Sequence, residues 1–345
     1  MDLTDDDWIK FNVGQYGYYR VQYPIAEWQR FSQFLQSKPE QMTSSDRTSL
    51  INDAFALAKA GQIPYGTALD LTRYLGSGER FVAPWETAFL ALDTMADVLY
   101  YTPVFRKLND YLASLVQEPY EELGWDIDPS DPVERLMLRS FVLRKMCTFG
   151  TASKMAGDLL LNWKNNDVEI HPDLRDIVYA YGMKDVGNLE IWQWMLNKYV
   201  TESNAQEKLK LLRGLTSIGQ PWILNDLLEM ARNESVIRNQ DYFTLLTYMS
   251  WNRVGEPIVW DFVRNNWPYL VDRFTLNNRL MARMVAEVTK KFATELRRKE
   301  MQDFFQKYPD AGAGANYRKI ALETVRNNVL FLQENIDVIE NWLNQ

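Results

Sequence analysis

Two arginines four residues apart, Arg279 and Arg283, are the side chains in this sequence best suited to binding an anion. They lie in a segment with a helical pattern, and residues four apart share one face of a helix. A guanidinium is a planar fork of donors that matches a carboxylate, so such a face would direct two forks at one anion. The alternative is that the arginines form ion pairs with Asp272 or Glu287. On the residues alone, ion pairing is the simpler interpretation.

The histidine count limits the metal chemistry of this chain. His171 is the single histidine and Cys147 the single cysteine, so an H-E-x-x-H zinc site, a Cys₂His₂ site and a Cys₄ site are all excluded. His171 has no serine or cysteine nucleophile in a recognisable setting, and a loop position is the better interpretation. Cys147 falls at helical spacing from Leu143, which predicts a buried, inert thiol. We therefore predict no catalytic residue and no metal site in this chain.

Three short motifs resemble functional sites only in part. The loop W-D-I-D-P-S-D at residues 125–131 resembles a calcium loop that begins at Asp126, but Asp131 stands at the sixth position in place of glycine and Met137 at the twelfth in place of glutamate. The stretch A-G-A-G-A-N at residues 311–316 has no G-K-[ST] after it, which argues against a phosphate loop. The triplet N-E-S beginning at Asn233 matches an N-glycosylation acceptor and gives weak support for a secreted parent protein.

Composition excludes several classes of partner. The chain has 345 residues, with 38 Lys and Arg against 46 Asp and Glu, which gives a net charge of −8. It therefore lacks the excess of positive charge with which proteins bind nucleic acids and anionic membranes. Hydrophobic residues make up 46%, enough for a large core. The sequence starts with an acidic segment rather than a basic leader, and no apolar run is long enough to span a bilayer. We expect no nucleic-acid partner and no direct insertion into a membrane.

The helical period dominates from residue 24 onward. Some fifteen amphipathic helices joined by short loops are predicted, the clearest at residues 315–343. Such helices stack as antiparallel pairs, so the predicted fold is mostly α, an irregular αα-superhelix similar to HEAT or armadillo bowls. Residues 8–13 and 18–23 flank a Gly-containing turn and predict a short β-hairpin. We therefore divide the chain into 1–23, the end of a β-sandwich domain, and 24–345, a helical domain.

Three stretches resemble the gluzincin-type zinc aminopeptidase family. The first is F-N-V-G with G-Y-Y-R-V at residues 11–14 and 17–21, and the second is D-R-T-S-L-I-N-D-A-F-A-L-A at residues 46–58. The third is W-D-F-V-R-N-N-W at residues 260–267. Taken together, the three stretches make a resemblance that covers essentially the whole chain. It implies a C-terminal helical bowl over an active site whose zinc, with calcium as a further candidate ion, is bound in a catalytic domain that this chain lacks.

Within that family, three further stretches resemble the glutamyl aminopeptidase branch, with the aminopeptidase N branch as the alternative. They are Y-G-M at residues 181–183, T-L-N-N-R at 275–279 and F-F-Q-K-Y-P-D-A-G-A-G at 304–314. The resemblance implies that Arg279 reaches the pocket for an acidic N-terminal residue of the substrate, with Arg283 as a weaker candidate on the same face.

The resemblance also implies partners and a location. The partners are the catalytic domain of the parent enzyme, a peptide substrate and a second copy of the chain in a homodimer. The location is extracellular, as part of a cell-surface ectodomain. We expect no peptidase activity from the chain alone. The other hypothesis that the sequence leaves open is a stand-alone helical-repeat scaffold for protein interactions, although such a scaffold has no use for an incomplete sheet.

Overall fold

The computed structural model describes residues 8–345, which are mostly helical and contain no strand. The first α-helices are α1 (Ile25–Ser37), α2 (Ser44–Lys59), α3 (Tyr65–Asp70), α4 (Leu75–Gly78), α5 (Val82–Leu99), α6 (Val104–Leu123), α7 (Val133–Thr148), α8 (Ser153–Asn166), α9 (Arg175–Ile177) and α10 (Met183–Val186). They are followed by α11 (Leu189–Thr201), α12 (Ala205–Thr216), α13 (Pro221–Met230), α14 (Tyr242–Trp251), α15 (Gly255–Asn265), α16 (Trp267–Phe274), α17 (Arg279–Thr289), α18 (Glu295–Lys307) and α19 (Ala315–Leu343). Short 3₁₀ turns lie at Val13–Gln15, Pro39–Gln41, Asn239–Asp241 and Gly312–Gly314, and Val178–Gly182 forms a π-helical turn.

The predicted helical class is confirmed, and local capping explains several helix ends. Thr43 caps α2 by accepting a hydrogen bond from the Asp46 amide at the start of the helix. Gly61 follows that helix with a positive φ of 69°, a conformation that favours glycine. The predicted helix at 315–343 coincides with α19. None of the helices within residues 8–345 has both the length and the apolar character that crossing a bilayer requires.

The chain divides into two compact units. The first consists of the described residues up to Phe149 together with Phe331–Gln345. Its core contains the fully buried Trp28 and Trp85. Trp342, near the end of α19, donates a hydrogen bond from Nε1 to Asp70 Oδ1 over 2.8 Å, and its ring packs against Tyr111. These contacts attach the last turns of α19 to this unit.

The second unit is Gly150–Leu330, and it contains the segment with Arg279. Trp192, Trp260 and Tyr242 are buried in its core. The π-helical turn packs between α8 and α12, where glycines allow close approach. A Cβ on Gly182 would lie 2.7 Å from the Ala156 carbonyl oxygen, so a larger residue there would force α8 and the turn apart.

The predicted β-hairpin is not formed in the described residues 8–23. Asn12 adopts a φ of 54°, and its side chain closes the loop by accepting from the Gly17 amide (2.7 Å) and donating to the Gly17 carbonyl (2.9 Å). These side-chain bonds replace a backbone ladder. A lone two-stranded hairpin is marginal in water, and this segment has no further strand to pair with in the part of the chain described.

Candidate functional site

The segment that carries the candidate arginines connects α16 to α17. Helix α16 ends at Phe274, and Thr275 adopts an unusual positive φ of 66° that turns the chain sharply. Asn278 then caps α17, since its Oδ1 accepts from the amides of Leu280 (2.9 Å) and Met281 (3.1 Å). The cap satisfies two of the free amides at this helix start. Arg279, the first residue of α17, is thereby fixed at the surface.

Arg279 is exposed, and its guanidinium forms no hydrogen bond or ion pair with any residue in the described range 8–345. Arg283 is also exposed, but its Nε lies 3.3 Å from Glu287 Oε1, so the predicted ion pair with Glu287 is present for this residue. Glu287 has a second cationic partner in Lys290, at 3.1 Å. Burial raises the pKa of Glu287, but Lys290 and Arg283 outweigh it and hold the pKa below its usual range. Arg279 is therefore the arginine left available to an anion.

Arg273, on α16, has a structural role. Its Nη1 donates to the carbonyls of Ala231 (3.1 Å) and Arg232 (3.3 Å) and to the Tyr269 hydroxyl (2.6 Å). Its Nη2 donates to Asn239 Oδ1 over 2.6 Å. The guanidinium therefore ties α16 to the turn after α13 and has little capacity left for a ligand.

The glycine-rich stretch at 311–316 supports the loop before α17. The Ala313 amide donates to the Leu276 carbonyl over 3.0 Å. Gly312 has a φ of 47°, and a Cβ on it would lie 2.4 Å from the Leu276 carbonyl oxygen. Only glycine fits here without moving the loop that ends at Asn278. The stretch thus positions the helix start that carries Arg279.

The other sequence candidates have ordinary surroundings. His171 is about half exposed, and its Nδ1 accepts from the Asp173 amide at 3.3 Å. Cys147 is fully buried, as predicted. In the acidic loop, Asp128 Oδ1 accepts from the amide and hydroxyl of Ser130, while Asp131 pairs with Arg139 at 2.7 Å. No group of three or more His, Cys, Asp or Glu residues within 8–345 is placed to hold a metal ion.

The sequence did not indicate a polar cleft of about 270 Å³ in the second unit. Tyr179, on the π-helical turn, donates from its hydroxyl to Glu207 Oε1 over 2.6 Å, and Arg175 lies 3.5 Å from Glu207. Trp163 stacks on the Tyr179 ring with centroids 4.9 Å apart. Burial, reinforced by Glu207, raises the pKa of the Tyr179 phenol, so that it remains a neutral donor. The residues that line this cleft come from separate segments between Trp163 and Leu211, so their spacing along the sequence did not indicate a site.

A second cleft, of about 320 Å³, lies in the first unit. Phe81, Leu123 and Leu138 line an apolar floor, and Arg135, Glu122 and Arg80 form ion pairs at its rim. Neither cleft contains Arg279 or Arg283. The charged groups at this rim neutralise one another, so the geometry does not select a ligand.

Comparison with known proteins covers nearly the whole chain. Residues 8–327 match the family model described as the ERAP1-like C-terminal domain. Aminopeptidase A of Gloydius brevicauda is 38% identical over 345 residues, 99% of this chain and 36% of the relative. Glutamyl aminopeptidase of Homo sapiens is 38% identical over 97% of this chain and 35% of its own length. Endoplasmic reticulum aminopeptidase 1 of Mus musculus is 31% identical over 97% of the chain and 36% of the relative.

Proposed function

Since this chain belongs to the ERAP1-like C-terminal domain family, we propose that it is the non-catalytic C-terminal domain of a zinc-dependent aminopeptidase. The chain spans about 36% of the length of curated relatives such as aminopeptidase A, which leaves room for a separate catalytic domain. A single histidine cannot provide both imidazoles of an H-E-x-x-H zinc site. In this proposal the zinc and the water it activates belong to the catalytic domain, and the helical domain caps the active-site chamber and helps to bind the peptide.

The N-terminal segment supports the proposed domain order. We assign residues 1–23 to the end of a β-sandwich domain that precedes the helical domain of residues 24–345. Tyr16 and Tyr18 are almost completely exposed, at 98% and 109%, and Phe11 is 57% exposed. Large aromatic side chains concentrated in one short segment favour coverage by another domain in the longer protein.

The proposed preference of the parent enzyme is for an acidic N-terminal residue in the substrate. The observation that carries it is Arg279, which has an exposed guanidinium with no partner among the described residues, on a capped and supported helix start. A guanidinium binds a carboxylate through two parallel hydrogen bonds, which a glutamyl or aspartyl side chain provides and an alanyl side chain does not. Several relatives carry the name glutamyl aminopeptidase, in agreement with this preference.

Replacing Arg279 in the proposed parent enzyme tests this role. We expect Arg279→Ala to lower kcat/KM for glutamyl substrates about 10- to 100-fold relative to alanyl substrates, because a charge-assisted bond of about 1.5–3 kcal/mol is lost. Arg279→Lys keeps the charge without the fork and should give an intermediate loss. Equal losses on both substrates would show that Arg279 is structural.

Arg283→Ala is the matched comparison on the same helix. Arg283 would have to leave Glu287 before it could bind a substrate, so we expect a smaller effect on glutamyl selectivity. Both variants remove one guanidinium from α17, and thermal unfolding should be measured for each to separate binding from stability. An Arg283→Ala effect as large as that of Arg279→Ala would mean that both arginines bind the substrate, as the shared helix face first suggested.

The chain expressed alone tests the non-catalytic assignment. We expect it to hydrolyse no N-terminal residue from peptides, with or without added Zn²⁺. Peptidase activity that copurifies with the chain through successive columns would overturn the assignment.

We further propose an extracellular, cell-surface location for the parent enzyme, and contact of this domain with the catalytic domain and with a second copy in a homodimer. Size-exclusion chromatography of the parent protein tests the homodimer.

A further inference from the structure

The N-glycosylation pattern at Asn233 is the one motif of the sequence that the proposed function does not explain. Asn233-Glu234-Ser235 is the single N-x-[ST] triplet among the 345 residues, although asparagine is common in this chain. A triplet of this kind arises easily by chance, so its significance depends on where the fold places it.

The structure places Asn233 at an exposed turn just after α13, which ends at Met230. The backbone of the turn is closed locally, since the Asn233 amide donates to the Met230 carbonyl and the Asn233 carbonyl accepts from Val236 and Ile237. The bonds to Met230, Val236 and Ile237 are 3.0, 3.0 and 3.1 Å long. No helix has to unwind for the Asn233 side chain to reach solvent.

The side chains of the triplet are arranged as an acceptor needs. Asn233 Oδ1 accepts hydrogen bonds from the Ser235 amide (3.0 Å) and from Ser235 Oγ (2.8 Å). The Asn233 Nδ2 makes no hydrogen bond with any residue of the described chain. The serine hydroxyl thus contacts the amide group that would react, and the nitrogen that would carry the modification is left open.

The surroundings hold this turn in place without covering it. Ile237 is fully buried beneath it. Arg273 donates to the carbonyls of Ala231 and Arg232 from one side, and Asn239 Nδ2 donates to Glu234 Oε1 over 2.6 Å from the other. A bulky, hydrophilic group on Asn233 would therefore project into solvent and displace none of these contacts.

We propose that Asn233 is an N-glycosylation site. The donor is a lipid-linked oligosaccharide pyrophosphate. A bond forms between Asn233 Nδ2 and the anomeric carbon of the sugar, the bond from that carbon to the pyrophosphate oxygen breaks, the amide nitrogen loses one proton, and the lipid pyrophosphate leaves. In the native protein this modification rests on the proposed extracellular location. The acceptor itself depends only on the turn.

Secretion of the full chain from a eukaryotic cell, behind an added cleavable leader, tests the acceptor. We expect treatment with peptide N-glycosidase to increase the electrophoretic mobility of the chain in a single step and to convert Asn233 to Asp, which peptide mass spectrometry detects. A secreted chain with no such shift and with unmodified Asn233 would overturn the proposal. Because the leader is supplied, an unmodified Asn233 would not contradict the proposed aminopeptidase function. Equally, failure of the Arg279 test would not contradict glycosylation of Asn233.

Variants of the triplet separate the site from general effects. Asn233→Gln and Ser235→Ala should each abolish the shift, whereas Ser235→Thr should retain it because threonine keeps the hydroxyl. Asn225→Gln is the matched control, since it alters an exposed asparagine of the neighbouring helix α13 that lies outside any acceptor triplet and makes no contact with the turn. A shift that persists in Asn233→Gln would assign the glycan to another residue and contradict the proposal.

Discussion

The most deeply buried ion pair in the described chain joins Arg47 on α2 to Glu79, just after α4. Arg47 Nε and Nη2 donate to the two carboxylate oxygens at 2.7 and 2.8 Å, and both side chains are at most 4% exposed. Arg47 Nη1 also donates to the carbonyls of Pro39 and Met42, and the Tyr74 hydroxyl donates to Glu79. Each side-chain nitrogen of Arg47 and each carboxylate oxygen of Glu79 thus has at least one hydrogen-bond partner, and such bonds are the condition for a buried pair to be stable.

At the residue scale, Arg47→Met should destabilise the first unit strongly. The substitution leaves Glu79 buried with no cation, and breaking a buried pair costs about 3–5 kcal/mol. Lys154→Met is the matched control, because Lys154 pairs with Asp158 at the surface, where solvent screens the pair and it contributes little to stability. Urea unfolding measures both. Similar losses for the two variants would show that burial of the Arg47–Glu79 pair is not what sets its contribution.

At the element scale, the loop that precedes α17 depends on a glycine from a different part of the chain. A Cβ built on Gly312 would lie only 2.4 Å from the Leu276 carbonyl oxygen, which is too close for any side chain. The Ala313 amide donates a hydrogen bond to the same carbonyl. Asn278 then caps the helix. The position of Arg279 is thus set by the loop, the cap and the 3₁₀ turn at Gly312–Gly314 acting together.

Gly312→Ala should cost more than the same change at Gly61. Both glycines have positive φ, which costs an L-residue about 1–2 kcal/mol, but nothing lies within 4 Å of a Cβ built on Gly61. The difference between the two free energies of unfolding in urea isolates the contact with Leu276, and we expect at least about 1 kcal/mol more for Gly312→Ala. In the parent enzyme the variant should also weaken glutamyl selectivity. Equal losses at the two glycines would mean that the loop yields without strain.

At the scale of the whole molecule, buried phenols in both units connect stability to pH. Burial raises the pKa of Tyr65, Tyr111 and Tyr199 to about 12, against 10.0 for an unperturbed phenol. For Tyr111 a hydrogen bond with Thr72 opposes the shift but does not reverse it. Tyr65 and Tyr111 belong to the first unit and Tyr199 to the second. A raised pKa means that the folded state binds more protons than the unfolded state above about pH 10.

The free energy of unfolding should therefore fall as the pH rises from about 10 towards 12. The contribution of these phenols is fully present below the unfolded pKa and is lost as the pH passes the folded one. Urea unfolding across this range measures the loss, and Tyr111→Phe should make it shallower by removing one titrating group. Tyr16→Phe, which alters a side chain that is 98% exposed, serves as the control and should leave the slope unchanged. A slope that is the same in all three proteins would contradict the role of Tyr111.

The sequence by itself determined the helical class, the final helix at residues 315–343 and the absence of an H-E-x-x-H site, because periodicity and a histidine count are local or additive properties. It also placed Arg279 and Arg283 on one helix face. It could not decide which of them is free, since that depends on Glu287 and Lys290 meeting Arg283 in the folded helix. The hairpin expected at residues 8–23 did not form, because a strand needs a partner strand that local pattern cannot supply. Only the tertiary structure brought Gly312 to Leu276 and Tyr179 to Glu207, since contacts between distant residues depend on packing rather than on spacing along the chain.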